Sequence, residues 1–248
     1  MAQDFAAAFA RHKRNEHQIG RIQEFLTQIV YGGNDGIVTT FAVVAGFAGF
    51  GAEGATTIGG IAVLLFGLAN LFADGTAMGL GEFLSSRSEQ DVYRAARAKV
   101  VKEIRNNPEF ETAEVVEILT ERGVQTGDAQ IIAQAMGRNT EFMADFMMQY
   151  EVGMADPTSD GPAARGMMTF LSFVLFGSAP LLPYFVLEPE PATFLISVGF
   201  TFGALTALGL LRWRVTNETL RRCVGETVLV GGICASVAYG VGLAFRSA

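Results

Sequence analysis

The feature that most limits how this chain can fold is a set of five long stretches without a charged side chain. Together they hold 99 of the 248 residues. A bilayer core about 30 Å thick is crossed by roughly 20 apolar residues in a helix, so each stretch is long enough, or nearly so, to span it. The stretches are residues 36–52, 54–73, 166–187, 191–211 and 227–245.

This pattern predicts an all-α integral membrane protein with five transmembrane helices. A large soluble protein with buried helices is the alternative, but such helices usually keep a polar face, and these stretches keep none with a charge. Only 17% of the residues are charged, against about a quarter in a soluble domain. We expect an N-terminal amphipathic cytoplasmic helix in 1–30, spans one and two in 31–87, a small helical cytoplasmic insert in 88–160, and spans three to five in 161–248.

The basic residues predict the orientation in the membrane. If five spans alternate, 17 of the 18 Lys and Arg residues lie on one side. Basic loops stay in the cytoplasm, so we expect the N-terminus inside and the C-terminus outside. No cleavable signal peptide is evident. We therefore expect a multi-pass protein of a bacterial plasma membrane, or of a vacuolar membrane if the chain is eukaryotic.

Span two carries polar and sulfur-bearing side chains at every fourth position. Four residues advance a helix by about 400°, so they share one slowly rotating stripe. A carboxylate at bilayer depth costs on the order of 3 kcal/mol, and such residues usually line a pathway or bind a partner. The alternative is that Asp74 only hydrogen-bonds a neighbouring helix. Four small residues, Gly75, Ala77, Gly79 and Gly81, permit such a helix to approach closely. The stripe consists of Asn70, Asp74, Met78 and Glu82.

Span one places a second acid, Asp35, at its start. Taken alone, an acid at the start of a helix is usually an N-cap. Beside Asp74 and Met78 it has another interpretation, because carboxylate oxygen together with thioether sulfur suits a divalent transition metal better than calcium or magnesium. We therefore predict a metal path along the two spans.

The insert carries 14 acidic and seven basic residues in 88–160, with acids and methionines at helical spacing. Glu114 and Glu117 lie about one turn apart, and the residues before Glu151 include two methionines at spacings that bring sulfur and carboxylate together. Solvated acidic faces and packed methionines are the alternatives. The candidate metal-binding side chains of the insert are Glu103, Glu111, Glu114, Glu117 and Glu121, with Met147, Met148 and Glu151 further along the chain.

Several other functions lack a sequence signal. There is no HExxH, CxxC or Gly-rich phosphate loop, so hydrolase, dithiol and NTPase activities have no support, and we expect no enzyme. Two cysteines are too few to argue for a disulfide framework or a zinc site.

Five motifs in this order resemble the vacuolar iron transporter family. They are Asp35-Gly-Ile-Val-Thr-Thr, Gly67-Leu-Ala-Asn-Leu-Phe-Ala-Asp, Asp145-Phe-Met-Met-Gln-Tyr-Glu151, Pro180-Leu-Leu-Pro-Tyr184 and Glu226-Thr-Val-Leu-Val-Gly-Gly232. The resemblance implies a homodimer in which the first spans of two protomers line a path for Fe²⁺ or Mn²⁺, exported from the cytosol in exchange for protons. It implies a metal substrate, no permanently bound cofactor and no nucleic acid partner.

The resemblance also assigns roles to single residues. Asp35 and Met78 match pathway positions. The resemblance implies that six residues of the insert are metal ligands, because they match the family's cytosolic metal-binding domain: Glu103, Glu114, Glu117, Met147, Met148 and Glu151. Two positions depart from the pattern: Asn70 stands where plant members have an intramembrane Glu, with Asp74 one turn further on, and Asn106 stands where the insert has another Glu. Two other functions remain open, a membrane-anchored metal buffer or sensor without transport, and a metal channel without proton coupling.

Overall fold

The computed structural model describes residues 21–50, 57–158, 161–188, 190–216 and 218–246. Within these ranges the chain forms helices and short connections, without a strand. Most of the predicted N-terminal amphipathic helix, up to residue 20, lies outside the described residues. Its described part, residues 21–30, comprises one helical turn, Phe25 and the first residues of the next helix, which begins at Leu26.

The first helices run along the chain in this order: α1 Arg21–Glu24, α2 Leu26–Phe50, α3 Thr57–Asn106, α4 Pro108–Glu121, α5 Thr126–Gly137 and α6 Thr140–Tyr150. The remaining elements are α7 Pro162–Gly177, a 3₁₀ turn Ala179–Leu181, α8 Leu182–Val186, α9 Pro191–Val215 and α10 Leu220–Arg246. The helices predicted at 110–122, 127–136 and 139–153 correspond to α4, α5 and α6, and the last ends three residues earlier than expected.

Four helical segments of the described chain are long and apolar enough to cross a membrane. The first predicted span falls on α2, which has 25 residues and therefore a length of about 37 Å. Helix α2 is not among the four segments. An all-helical membrane protein is confirmed, while the count of five spans stays a prediction. The four segments are Gly60–Asn106, Pro162–Val186, Ala192–Val215 and Leu220–Val241.

The chain divides into two compact units. Unit 1 combines the described residues up to Glu82 with those from Ala163 onward, and unit 2 runs from Phe83 to Pro162. The long helix α3 contributes to both, because its apolar first half belongs to unit 1 and its charged second half to unit 2.

Close backbone contacts hold unit 1 together around α7. A Cβ atom added to Gly36 on α2 would lie 2.3 Å from the backbone oxygen of Phe173, and one added to Gly79 on α3 would lie 2.9 Å from that of Gly166. Gly75 also faces α7, so the predicted close approach is confirmed at Gly75 and Gly79. It is wrong at Gly81, where no described atom lies within 4 Å of an added Cβ, and Ala77 is exposed. Small residues allow such packing in a bilayer, where no hydrophobic effect drives helices together.

Unit 2 has its own apolar core, formed by the second half of α3 with α4, α5 and α6. Its helix ends follow the local sequence: Pro108 opens α4, Gly123 follows its end with φ +91°, and the Asn139 side chain accepts a hydrogen bond from the Phe142 amide at 3.4 Å. Pro is suited to a first helical turn, and Gly to the left-handed conformation that ends one.

Candidate functional site

The stripe on α3 keeps its register in the structure. Because α3 is unbroken from Thr57 to Asn106, the fourfold spacing places its members on one side of the helix. All four are half-buried, whereas Phe72 and Leu80 between them are more than half exposed. Met78 packs against the apolar cluster that contains Phe173. The stripe therefore faces neighbouring helices: Asn70, Asp74, Met78 and Glu82.

Asp35 lies inside a helix and not at its start. Helix α2 begins at Leu26, nine residues earlier, so the interpretation of Asp35 as an N-cap is wrong. The backbone oxygen of Asp35 accepts a hydrogen bond from the Thr39 hydroxyl at 2.8 Å, within the helix. Its carboxylate is left for other partners.

Asp35 and Asp74 lie within electrostatic range of each other although 38 residues separate them in the chain. The negative charge of Asp74 on α3 lies close enough to Asp35 on α2 to repel it. When two carboxylates lie near each other at membrane depth, the state in which both are charged has a high free energy. A cation or a proton that neutralises one of them lowers it. This pair is the centre of the candidate path.

A groove of about 560 Å³ opens beside Asp35, between α2, α9 and α10. Its wall includes Tyr31, Asn34, Arg212 and Glu226. The buried side-chain oxygen of Asn34 has no hydrogen-bond partner, which leaves a free acceptor next to Asp35. Oxygen acceptors of this kind are what a partly dehydrated metal ion requires.

The sequence interpretation missed the ion pair in this groove. Arg212 Nη1 lies 2.8 Å from Glu226 Oε2, and Arg222 Nε lies 3.1 Å from Glu226 Oε1. Glu226 begins one of the quoted motifs, but nothing in its spacing indicated that it shares a groove with Asp35. A mixed charge, and not a row of acids, lines this side of the path.

A second ion pair was missed at Glu82. Arg165 Nε on α7 and Gln28 Nε2 on α2 both lie 3.0 Å from the same carboxylate oxygen, Glu82 Oε1. The side chains of Glu82 and Arg165 are 23% and 25% exposed. Of the predicted pathway acids, Glu82 is the one with a cationic partner among the ion pairs of the described residues.

Unit 2 separates the predicted sulfur ligands from the predicted carboxylates. Met147 and Met148 are almost fully buried in the core, beside Val115 and Met143. Glu151, which ends α6, is exposed. The described methionines therefore pack the interior from which the acids project, and their role as ligands remains a prediction.

The carboxylates of unit 2 do gather at one place. Burial, and then the charges of Glu114, Glu103 and Glu151, raise the pKa of Glu111 above its ordinary value. Partial desolvation of its carboxylate, and then the charges of Glu114 and Glu103, likewise raise the pKa of Glu151, although the residue as a whole is exposed. The charge of Lys99 acts in the opposite direction. We call Glu103, Glu111, Glu114 and Glu151 the acidic cluster.

The acidic cluster matches the sequence prediction in part. Glu103, Glu114 and Glu151 were predicted ligands, and the buried Glu111 was in the same acidic run without being chosen. Glu117 is exposed and is not among the charges that act on the cluster. In the described part of the chain, no three Asp, Glu, His or Cys side chains are arranged closely enough to hold a metal ion as they stand.

Comparison with known proteins gives a consistent picture. The model of the VIT family matches residues 26–243. "Vacuolar iron transporter 1" of Oryza sativa subsp. japonica is 30% identical over 244 residues, which cover 98% of this chain and 94% of the relative. The protein of that name in Arabidopsis thaliana is 31% identical over 216 residues, covering 87% and 84%.

A third relative comes from a different kind of organism. The "Vacuolar iron transporter" of Toxoplasma gondii is 33% identical over 243 residues, which cover 93% of this chain and 77% of the relative. The matched region includes the stripe on α3, Asp35 and the acidic cluster.

Proposed function

Because this chain belongs to the VIT family, we propose that it transports Fe²⁺ or Mn²⁺ out of the cytosol in exchange for protons, as a homodimer. The observation that carries the proposal is the pair of acids, Asp35 and Asp74, which lie on two different helices of unit 1 within electrostatic range of each other. An anchor has no need of two repelling carboxylates at membrane depth.

The donor atoms along the path suit a borderline transition metal. The stripe offers carboxylate oxygen from Asp74, amide oxygen from Asn70 and thioether sulfur from Met78, and Asp35 adds a carboxylate from α2. Purely oxygen sites favour magnesium, calcium or manganese, whereas added sulfur shifts preference towards softer transition metals such as Fe²⁺. Asp74 supplies the carboxylate that the amide side chain of Asn70 cannot supply.

Proton exchange follows from competition at these carboxylates. A proton and a metal ion use the same lone pairs, so a site that binds one releases the other. The mutual repulsion of Asp35 and Asp74 makes the doubly charged state costly, and either ion relieves it. Alternate occupancy by metal and protons is therefore the mechanism that we propose.

The direction of transport rests on the distribution of basic residues. Segments rich in Lys and Arg face the cytoplasm, which places unit 2 and its acidic cluster there. We propose that the acidic cluster captures the metal from the cytosol and delivers it to the path in unit 1. Net negative charge concentrates cations near such a surface.

The groove beside Asp35 supports a path that two protomers complete. Tyr31, on its wall, is 63% exposed, and the groove is open on one side. A second copy of the chain seated against α2 would enclose it and bring a second Asp35 to the path. This arrangement agrees with the homodimer that the motifs imply.

Flux through the purified protein tests the proposal. Full-length protein in proteoliposomes should move Mn²⁺, or Fe²⁺ kept reduced under anaerobic conditions, at a rate that depends on an imposed pH gradient. Metal binding without flux would show a buffer or sensor. Downhill flux that ignores the pH gradient and moves no protons would show a channel, and either result contradicts the proposed exchange.

A further inference from the structure

Glu82, the last member of the stripe, already forms an ion pair with the side chain of Arg165. It lies at the end of unit 1 where α3 leaves the unit and α7 enters it. The Arg165 guanidinium donates through Nε to Glu82 Oε1 at 3.0 Å, and both side chains are about three-quarters buried. Under the proposed orientation, this end of the path faces the cytosol.

The Arg165 contact occupies one of the two carboxylate oxygens of Glu82. Its Oε1 atom accepts from Arg165 and also from Gln28 Nε2. A guanidinium stays charged at any pH in the working range, so this partner cannot be removed by deprotonation. A metal ion that binds Glu82 through Oε1, or through both oxygens, must displace Arg165.

Gln28 offers Arg165 another place to donate. Gln28 is only 4% exposed, and its buried side-chain oxygen has no hydrogen-bond partner. Leaving such an acceptor unpaired in the interior costs on the order of 1–3 kcal/mol. Because the Gln28 and Arg165 nitrogens bind the same oxygen, they are no more than about 6 Å apart, and the free Gln28 oxygen is within reach of a rotated guanidinium.

We propose that Arg165 is a tethered cation that occupies Glu82 between transport events and transfers to the Gln28 oxygen when a divalent metal binds Glu82. This inference rests on the proposed transport function. A dication is attracted to a carboxylate twice as strongly as a monovalent ion at the same distance. Arg165 is therefore a positioning residue that admits Mn²⁺ or Fe²⁺ and resists displacement by Na⁺ or K⁺.

The concentration dependence of transport tests this exchange of partners. Initial rates of Mn²⁺ transport in proteoliposomes give KM and the maximal rate for the wild type, Arg165→Gln and Arg165→Lys. Without a competing cation, Arg165→Gln should lower KM about tenfold, the scale of one hydrogen bond to a charged group. Na⁺ should inhibit this variant and not the wild type.

Arg165→Lys should lie between the two, with KM about two- to threefold below that of the wild type, because an ammonium lacks the planar fork that matches a carboxylate. It also carries the test if Arg165→Gln does not fold, as judged by size-exclusion chromatography. The matched control is Arg94→Gln, which breaks the exposed pair between Arg94 and Asp91 and should leave KM unchanged.

A KM at or above the wild-type value in both Arg165 variants would overturn the inference, since a purely structural ion pair would lower the yield or maximal rate without improving KM. If the wild type moves no Mn²⁺ at all, the proposed function fails and not merely this inference.

Discussion

Glu111 on α4 is 7% exposed, and the charges identified as acting on it within the described chain, those of Glu114, Glu103 and Glu151, are all negative. A buried carboxylate surrounded by others is disfavoured in its charged form, which raises its pKa. Such a residue costs stability in the protein alone and gains a favourable interaction when a cation arrives. Repulsion within the acidic cluster therefore lowers the stability of the metal-free protein, and a bound cation relieves that repulsion.

Glu111→Gln should show both effects. Removing the charge keeps the shape and relieves repulsion, so we expect the free energy of unfolding to rise by about 1 kcal/mol. The affinity of the full-length protein for Mn²⁺ should fall about tenfold, since one charged ligand is lost. Thermal unfolding and Mn²⁺ titration in detergent measure the two quantities.

The control for Glu111→Gln is Glu109→Gln, the same change at an exposed position on the same helix. It should alter neither quantity appreciably. A Glu111→Gln variant that binds Mn²⁺ as tightly as the wild type would exclude Glu111 from the metal site.

The acidic cluster also predicts a pH dependence of stability. The pKa values of Glu111 and Glu151 lie above their ordinary value of 4.5 in the folded protein. The folded state therefore holds these protons more tightly than the unfolded state, and their contribution to stability is lost as pH rises from that value through the raised pKa. A double variant, Glu111→Gln with Glu151→Gln, should lose this part of the dependence.

Thermal midpoints of the wild type and the double variant, compared between about pH 4 and pH 8, check this prediction. The difference in stability between variant and wild type should grow with pH across the window. A difference that stays constant, or shrinks, would mean that the two carboxylates are not mutually destabilised.

Some residues of the candidate site could be predicted from the sequence and others could not. Asp74 and Glu151 could be selected because an acid inside a span, or beside methionines, is unusual in itself. Arg165 could not, because its partner Glu82 lies 83 residues away and no periodicity links them. The burial of Met147 and Met148 also depends on helices that pack from elsewhere in the chain.

The long stretches without a charged side chain predict where the membrane-spanning helices lie, because lipid requires long apolar helices. They predict helix starts less well. Asp35 was expected near the start of span one, yet α2 begins at Leu26, because a helix can extend into the interface well beyond its apolar part. Small residues allow close contacts between helices. The sequence shows where these residues lie but does not predict which helix packs against them.

Gly36→Ala tests the close contact between α2 and α7. The new Cβ would lie 2.3 Å from the Phe173 backbone oxygen, so one helix must move. We expect a loss of about 1–3 kcal/mol in stability, the usual cost of overpacking, and a lower thermal midpoint in detergent.

Gly46→Ala is the matched control on the same helix, because nothing lies within 4 Å of a Cβ added there. It should be neutral or slightly stabilising, as Ala favours helix over Gly. Equal midpoints for the two variants would show that α2 and α7 are not packed as closely as described.

For the whole molecule, the proposed homodimer makes a prediction about α2. If two copies meet over the open groove beside Asp35, Tyr31→Cys should form a disulfide between protomers under mild oxidation. The background would carry Cys223→Ser and Cys234→Ser, which remove the two free cysteines. A non-reducing gel of protein in native membranes measures the cross-linked fraction.

Leu175→Cys is the comparison, since Leu175 on α7 is 70% exposed but does not line the groove. We expect strong cross-linking at position 31 and little at position 175. The reverse pattern would move the dimer contact away from α2.

In the mechanism that we propose, Asp35 and Asp74 line one path for a divalent metal. The most direct measurement is the initial rate of Mn²⁺ transport in proteoliposomes, recorded with internal pH, for Asp35→Ala, Asp74→Asn and the exposed control Asp91→Asn. We predict that each pathway variant loses at least about tenfold in rate together with the coupled pH change, a loss of about 1.4 kcal/mol or more, while the control keeps both. Wild-type flux and coupling in both pathway variants would contradict the account.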